Sequence, residues 1–137
     1  MSKDYTIFVG CVGGGLSYSP DGGEAWERVR TPLPSECNVR ALTVYPDNPH
    51  RVLLGSDSGV FRSNDNGATW EHLNSPMDEV QVWSLAVDPA DSNNIFVGTR
   101  PDAYRSRDDG MTWEHLTLGV NNPCPVGVPR TTNVIVD

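Results

Sequence analysis

The sequence predicts an all-β fold made of β-propeller blades, each a four-stranded antiparallel sheet, and three observations predict it. One eight-residue motif occurs three times, its closing tryptophans Trp26, Trp70 and Trp113 spaced 44 and 43 residues apart. Apolar, β-branched runs of strand length recur in step with it. No stretch carries a 3.6-residue period with caps, so helix content should be near zero. A repeat of about 40–45 residues holding four short strands is the arithmetic of a propeller blade.

The elements follow in order within one period. The first strand is Val39 to Val44 or Val82 to Val87, closed shortly afterwards by Pro46 or Pro89. A polar turn follows, residues 47–50 in one copy and 90–94 in the next. The second strand ends on glycine: Ile7 to Gly10, Val52 to Gly55, Ile95 to Gly98. A tight turn such as Asp57-Ser-Gly59 leads to the third strand, Val60 to Ser63. A hairpin over 64–67 then leads to the outer strand, Thr69 to Leu73. The last copy of the first strand is Thr132 to Val136, near the end of the chain. One repeat domain over 1–137 results, with blades over 132–137 plus 6–30, 39–73 and 82–117.

Composition narrows the function. Asp and Glu number 18 against 10 Lys and Arg, a net charge of −8. Binding to a phosphate backbone needs a basic footprint, so nucleic acid is not expected as a partner. No apolar run is long enough for a membrane span, and no signal-peptide pattern opens the chain. Cys11, Cys37 and Cys124 are odd in number and lack the short paired spacing of a zinc site. Free thiols, no metal, no cofactor and a cytoplasmic location are the expectation.

The repeated motif is Ser19-Pro-Asp-Gly-Gly-Glu-Ala-Trp26, Ser63-Asn-Asp-Asn-Gly-Ala-Thr-Trp70 and Ser106-Arg-Asp-Asp-Gly-Met-Thr-Trp113. Ser-x-Asp-x-Gly-x-Thr-Trp is the Asp-box, and the chain resembles BNR/Asp-box β-propellers over essentially its whole length. That superfamily includes sialidases, sortilin-type receptors, xyloglucanases and photosystem II assembly factors. The resemblance implies that the boxes are hairpins between third and fourth strands, away from the ligand face. Asp21, Asp65 and Asp108 are then scaffold: an Asp in a turn accepts backbone N–H groups ahead of it, and Gly23, Gly67 and Gly110 supply positive φ. Ser19, Ser63 and Ser106 belong to the same turns, and each Trp pins its hairpin by burying a ring. Thr69 and Thr112 should add a hydroxyl hydrogen bond that Ala25 cannot.

The opposite face should carry any ligand, since loops on a rigid scaffold are where binding residues sit. It comprises the turns over 11–15, 56–59 and 99–102 and the connections over 32–36, 75–79 and 119–129. Asp57 and Arg100 occupy equivalent positions there, Asp102 stands where Gly59 would, and Trp83 is the one tryptophan outside the motif. Trp83 could stack on a sugar, fill the channel or pack between blades. Arg40 lies at the equivalent place one blade earlier. His72 and His115 fall in duplicate Trp-Glu-His-Leu strands of different blades and should be surface residues.

The leading expectation is a non-enzymatic platform binding protein or carbohydrate, because no nucleophile–base constellation appears. The alternative is a glycoside-hydrolase-like enzyme, or a fragment of one. Gly55-Ser-Asp-Ser-Gly-Val-Phe-Arg62 is similar to the xyloglucanase stretch carrying a catalytic Asp, which implies that role for Asp57, with Asp102 or Glu79 as the second carboxylate. Three blades fall short of the usual 4–8. Either the missing blades belong to a longer parent chain, or two copies close six blades with Thr132 to Val136 pairing against residues 6–10 of the other copy.

Overall fold

A computed structural model describes residues 5–100, 102–119 and 133–136. Among these residues every regular element is a β-strand. The first sheet holds β1 (Ile7–Cys11), β2 (Gly15–Ser19) and β3 (Glu27–Arg28) in that order. The second is the meander β4 (Val39–Tyr45), β5 (Asn48–Ser56), β6 (Gly59–Ser63) and β7 (Glu71–Leu73). The third repeats it with β8 (Ser84–Val87), β9 (Ile95–Gly98), β10 (Ala103–Ser106) and β11 (Glu114–Leu116). All pairings are antiparallel.

The core lies between sheets rather than within one. Leu16, Leu33, Val39, Val52, Leu54, Phe61 and Trp70 fill the space between the first and second sheets. Tyr45, Leu53, Val60, Met77, Val82, Ile95 and Val97 fill the space between the second and third. The middle sheet is therefore covered on both faces, and consecutive β5 residues Val52, Leu53 and Leu54 are all at most 1% exposed. A strand buried on both sides reads as a continuous apolar run, as this one does.

Two glycines set how closely the sheets approach. A Cβ on Gly10 would lie 2.5 Å from Val39 Cγ1, and one on Gly55 would lie 2.3 Å from Val82 Cγ1. Each second strand thus ends against the valine that opens the next inner strand, and Val82 N–H donates to Ser56 O at 3.0 Å. The hairpin after β4 is tighter than a turn over 47–50: β5 begins at Asn48, which pairs with Tyr45 after a register shift at Val44.

The three hairpins over 19–26, 63–70 and 106–113 share one hydrogen-bond set. Ser19, Ser63 and Ser106 hydroxyls donate to Asp21, Asp65 and Asp108, each at 2.8 Å, and accept the N–H of Gly23, Gly67 and Gly110 at 2.8 Å. Thr69 and Thr112 donate through backbone N–H and hydroxyl to Asp65 and Asp108. Ala25 offers only its N–H to Asp21, at 2.9 Å. These bonds favour the ionised carboxylates and hold all three below the ordinary Asp range. The leading cause is the Ala25 N–H for Asp21 and the threonine hydroxyl for Asp65 and Asp108.

The tryptophans do not behave alike. Trp70 is 8% exposed, donates its indole N–H to Gly67 O at 3.1 Å and meets Phe8 of the first sheet edge-on. Trp113 packs against the core between the second and third sheets. Trp26, expected to be buried, is 50% exposed. The rings of the second and third hairpins pack on the sheet before them, and among the described residues no earlier sheet lies against Trp26.

The residue between Asp and Gly of the hairpin ties one sheet to the previous one, a role the motif reading missed. Asn66 and Asp109 adopt φ of 59° and 57°. Asn66 donates to Thr6, which leads into the first sheet. Asp109 accepts the Tyr45 hydroxyl at 2.9 Å and pairs with Arg51 at 2.6 Å and Arg62 at 3.1 Å, all from the second sheet. Arg51 also stacks 3.9 Å over the Tyr45 ring. Burial, with the hydrogen bond to Asp109, pushes the Tyr45 phenol up to about 12. The first hairpin has Gly22 here, with no side chain to offer.

Residues 133–136 form no strand in the single chain, and β1 is an edge of its sheet. Residues 120–132 and 137 lie outside those described, and with them Cys124, Thr132 and most of the 119–129 connection.

Candidate functional site

The turns after β1 and β5 come together at one end of the sheets, as the repeat predicts, and much of their polar chemistry is spent on the scaffold. Gly13 N–H donates to Asn38 Oδ1 at 2.6 Å, Asn38 N–H donates to Asp57 Oδ1 at 2.9 Å, and Asn38 Nδ2 donates to Asp57 Oδ2 at 2.5 Å. Asp57 therefore links the second sheet to the connection that enters β4, and both of its oxygens accept from one asparagine. A nucleophile or general base needs a free oxygen turned to the substrate.

The other proposed carboxylates are dispersed. Asp102 lies 3.0 Å from His115 Nε2 of β11 and accepts the Leu118 N–H at 3.4 Å. Glu79 is exposed in the connection before β8. Arg100 is half-buried beside the buried Thr99, whose N–H and hydroxyl both bond Asp102 O. His72 pairs with Asp78 at 3.1 Å, on a different sheet from His115. Among the described residues, no three His, Cys, Asp or Glu side chains gather as metal ligands. Cys11 is exposed, while Cys37 is buried with its thiol pushed up by burial and by the nearby Asp57 charge.

Arg40 and Trp83 do meet. The Arg40 guanidinium carbon lies 4.6 Å from the Trp83 ring centroid, close enough for a cation–π contact. Both border a cavity of about 200 Å³ between the inner strands β4 and β8, shared with Leu42, Leu85, Asn133 and Val134. Arg40 Nη1 is buried and has no hydrogen-bond partner among the described residues. The sequence held a signal for this pair: Val39-Arg-Ala-Leu and Val82-Trp-Ser-Leu are the same stretch in successive repeats. The bulge in β4 between Val39 and Ala41 then decides where Arg40 falls. A second cavity, of about 340 Å³, lies between β1 and the β4–β5 hairpin, lined by Tyr5, Phe8, Val44 and Pro49 among others.

No known protein family matches the chain, and no curated protein does. Solved structures do. An ancestral GH74 enzyme superposes with a TM-score of 0.69 at 20% identity, over 83% of this chain and 17% of that one. YCF48 bound to D1 peptide gives 0.64 at 17% identity, over 82% and 37%. The GH74 xyloglucanase from Xanthomonas campestris gives 0.62 at 20% identity, over 82% and 19%. The fold is a partial β-propeller of antiparallel blades, and the chain spans between about a sixth and just over a third of these neighbours' lengths.

Proposed function

We propose that this chain is a non-catalytic module of the Asp-box β-propeller class, binding protein or carbohydrate at the groove between β4 and β8. The observation that carries this reading is the Arg40–Trp83 pair. A buried guanidinium N–H without an acceptor costs about 1–3 kcal/mol, so its retention in a groove favours a ligand that supplies one. The ring beside it offers a flat apolar surface. The hairpin carboxylates Asp21, Asp65 and Asp108 are bound within their own turns, and Asp57 is bound to Asn38.

A second reading, a glycoside-hydrolase-like fragment, draws on the GH74 neighbours and on the stretch Gly55 to Arg62. One experiment separates the two. The protein and its Asp57→Asn and Arg40→Gln variants are titrated with peptides, xyloglucan and β-glucans, and the glycans are assayed for reducing ends. Binding weakened by Arg40→Gln, without hydrolysis, is expected. Hydrolysis abolished by Asp57→Asn would replace the platform with the enzyme.

A further inference from the structure

The groove between β4 and β8 already borders a piece of its own chain. Asn133 and Val134 line the same cavity as Arg40, Leu42, Trp83 and Leu85. Burial along 133–136 alternates: Asn133 is exposed, Val134 half-buried, Ile135 89% exposed, Val136 half-buried. A period of two is the signature of an extended chain with one face against a surface. The segment nevertheless forms no strand with β4 or β8, whose ladders run to β5 and β9. Among the described residues no sheet ladder holds it in place, so another extended segment could take its position without breaking a sheet.

From this we infer that the groove is a site for an extended peptide, and that Asn133–Val136 occupies it in cis. The inference rests on the groove being the ligand site, and it names the ligand. The chemistry favours a segment alternating β-branched apolar residues with small polar ones. The apolar residues face Leu42 and Leu85, while a backbone carbonyl or an acidic side chain reaches Arg40 Nη1 beside the Trp83 ring. A free partner must displace the resident segment, so its apparent affinity is lowered by the fraction of chains with the groove open.

The test uses the full chain and a labelled synthetic peptide with the sequence of residues 131–137. Val134→Lys puts a charge of the same sign as Arg40 on the inward face of the resident segment, at a position only half-buried, so the segment should leave the groove while the fold persists. The indole N–H resonance of Trp83 should shift in this variant while that of Trp70 stays in place. The peptide should bind Val134→Lys at least about tenfold more tightly than the unaltered chain, as read by fluorescence anisotropy. Adding Arg40→Gln should undo that gain. An unmoved Trp83 resonance would show that the segment does not occupy the groove and would overturn the cis contact. A shifted resonance without peptide binding to Val134→Lys would overturn the peptide assignment. In that case, glycan binding sensitive to Arg40→Gln would leave the platform reading standing, and its absence as well would remove both.

Discussion

Replacing Gly55 with Ala probes how closely one blade approaches the next. The new Cβ would lie 2.3 Å from Val82 Cγ1, 3.1 Å from Val82 Cβ and 3.4 Å from Ala41 Cβ. Carbon atoms in contact sit about 3.5–4.0 Å apart, so the first overlap exceeds an ångström. Val82 is fully buried, and its branched side chain has few rotamers into which to retreat. Gly55 also lies inside the β5 ladder, opposite Ala41 and Val60, so its own backbone is pinned on both sides. Overpacking of this kind costs about 1–3 kcal/mol. The upper half of that range is expected, because the clash is with a stiff side chain between two paired strands. Val82→Ala alone removes two buried methyl groups and should cost about 2 kcal/mol. Combined, the two changes should cost little more than Val82→Ala by itself, since the clashing Cγ1 is gone. A double-mutant cycle of urea midpoints would then read a favourable coupling of about 1–2 kcal/mol. Additivity within about 0.5 kcal/mol would refute the argument that this glycine is required by the Val82 contact.

Trp70→Ala should destabilise by about 3–5 kcal/mol, because it removes a buried ring and the Phe8 contact together; an unchanged unfolding midpoint would deny the hairpin its structural role. The lowered hairpin aspartates make a pH prediction whose sign follows from linkage. Their folded values lie below the unfolded value of about 3.9, so their stabilisation is present above about pH 4 and is lost as pH falls through the folded values. Urea midpoints measured from pH 7 down to 2.5 should decline in that window, and Asp65→Asn should make the decline shallower. The exposed edge and face of the first sheet, with Val9 40% and Trp26 50% exposed, should drive two copies together. Light scattering should give a mass near twice 15.0 kDa, and Val9→Glu should return it to one.

Much of this architecture was legible in the sequence because a repeat writes the same instruction several times. The Ser-x-Asp-x-Gly turns use local chemistry, a hydroxyl, a carboxylate and a positive-φ residue within four positions, so spacing alone locates them. The pairing of Arg40 with Trp83, by contrast, depends on a bulge in β4 that no residue of that strand announces. Asp57 reads as a catalytic candidate from its neighbours in sequence, whereas its partner, Asn38, lies 19 residues away.

The amino-acid sequence by itself determined the strand period and the hairpins, since these follow from turn chemistry and the recurrence of apolar runs within one repeat. Only the tertiary structure decided which copies of the repeat are covered. Trp70 and Trp26 stand in the same motif, yet one is buried and the other half-exposed, because burial belongs to the sheet that lies against the ring. The same holds for Asp109, whose partners Tyr45, Arg51 and Arg62 come from the preceding sheet, and for Gly22, which makes no such side-chain contact. Local hydrogen bonds are set by spacing along the chain; contacts between blades are set by what the chain stacks beside each sheet.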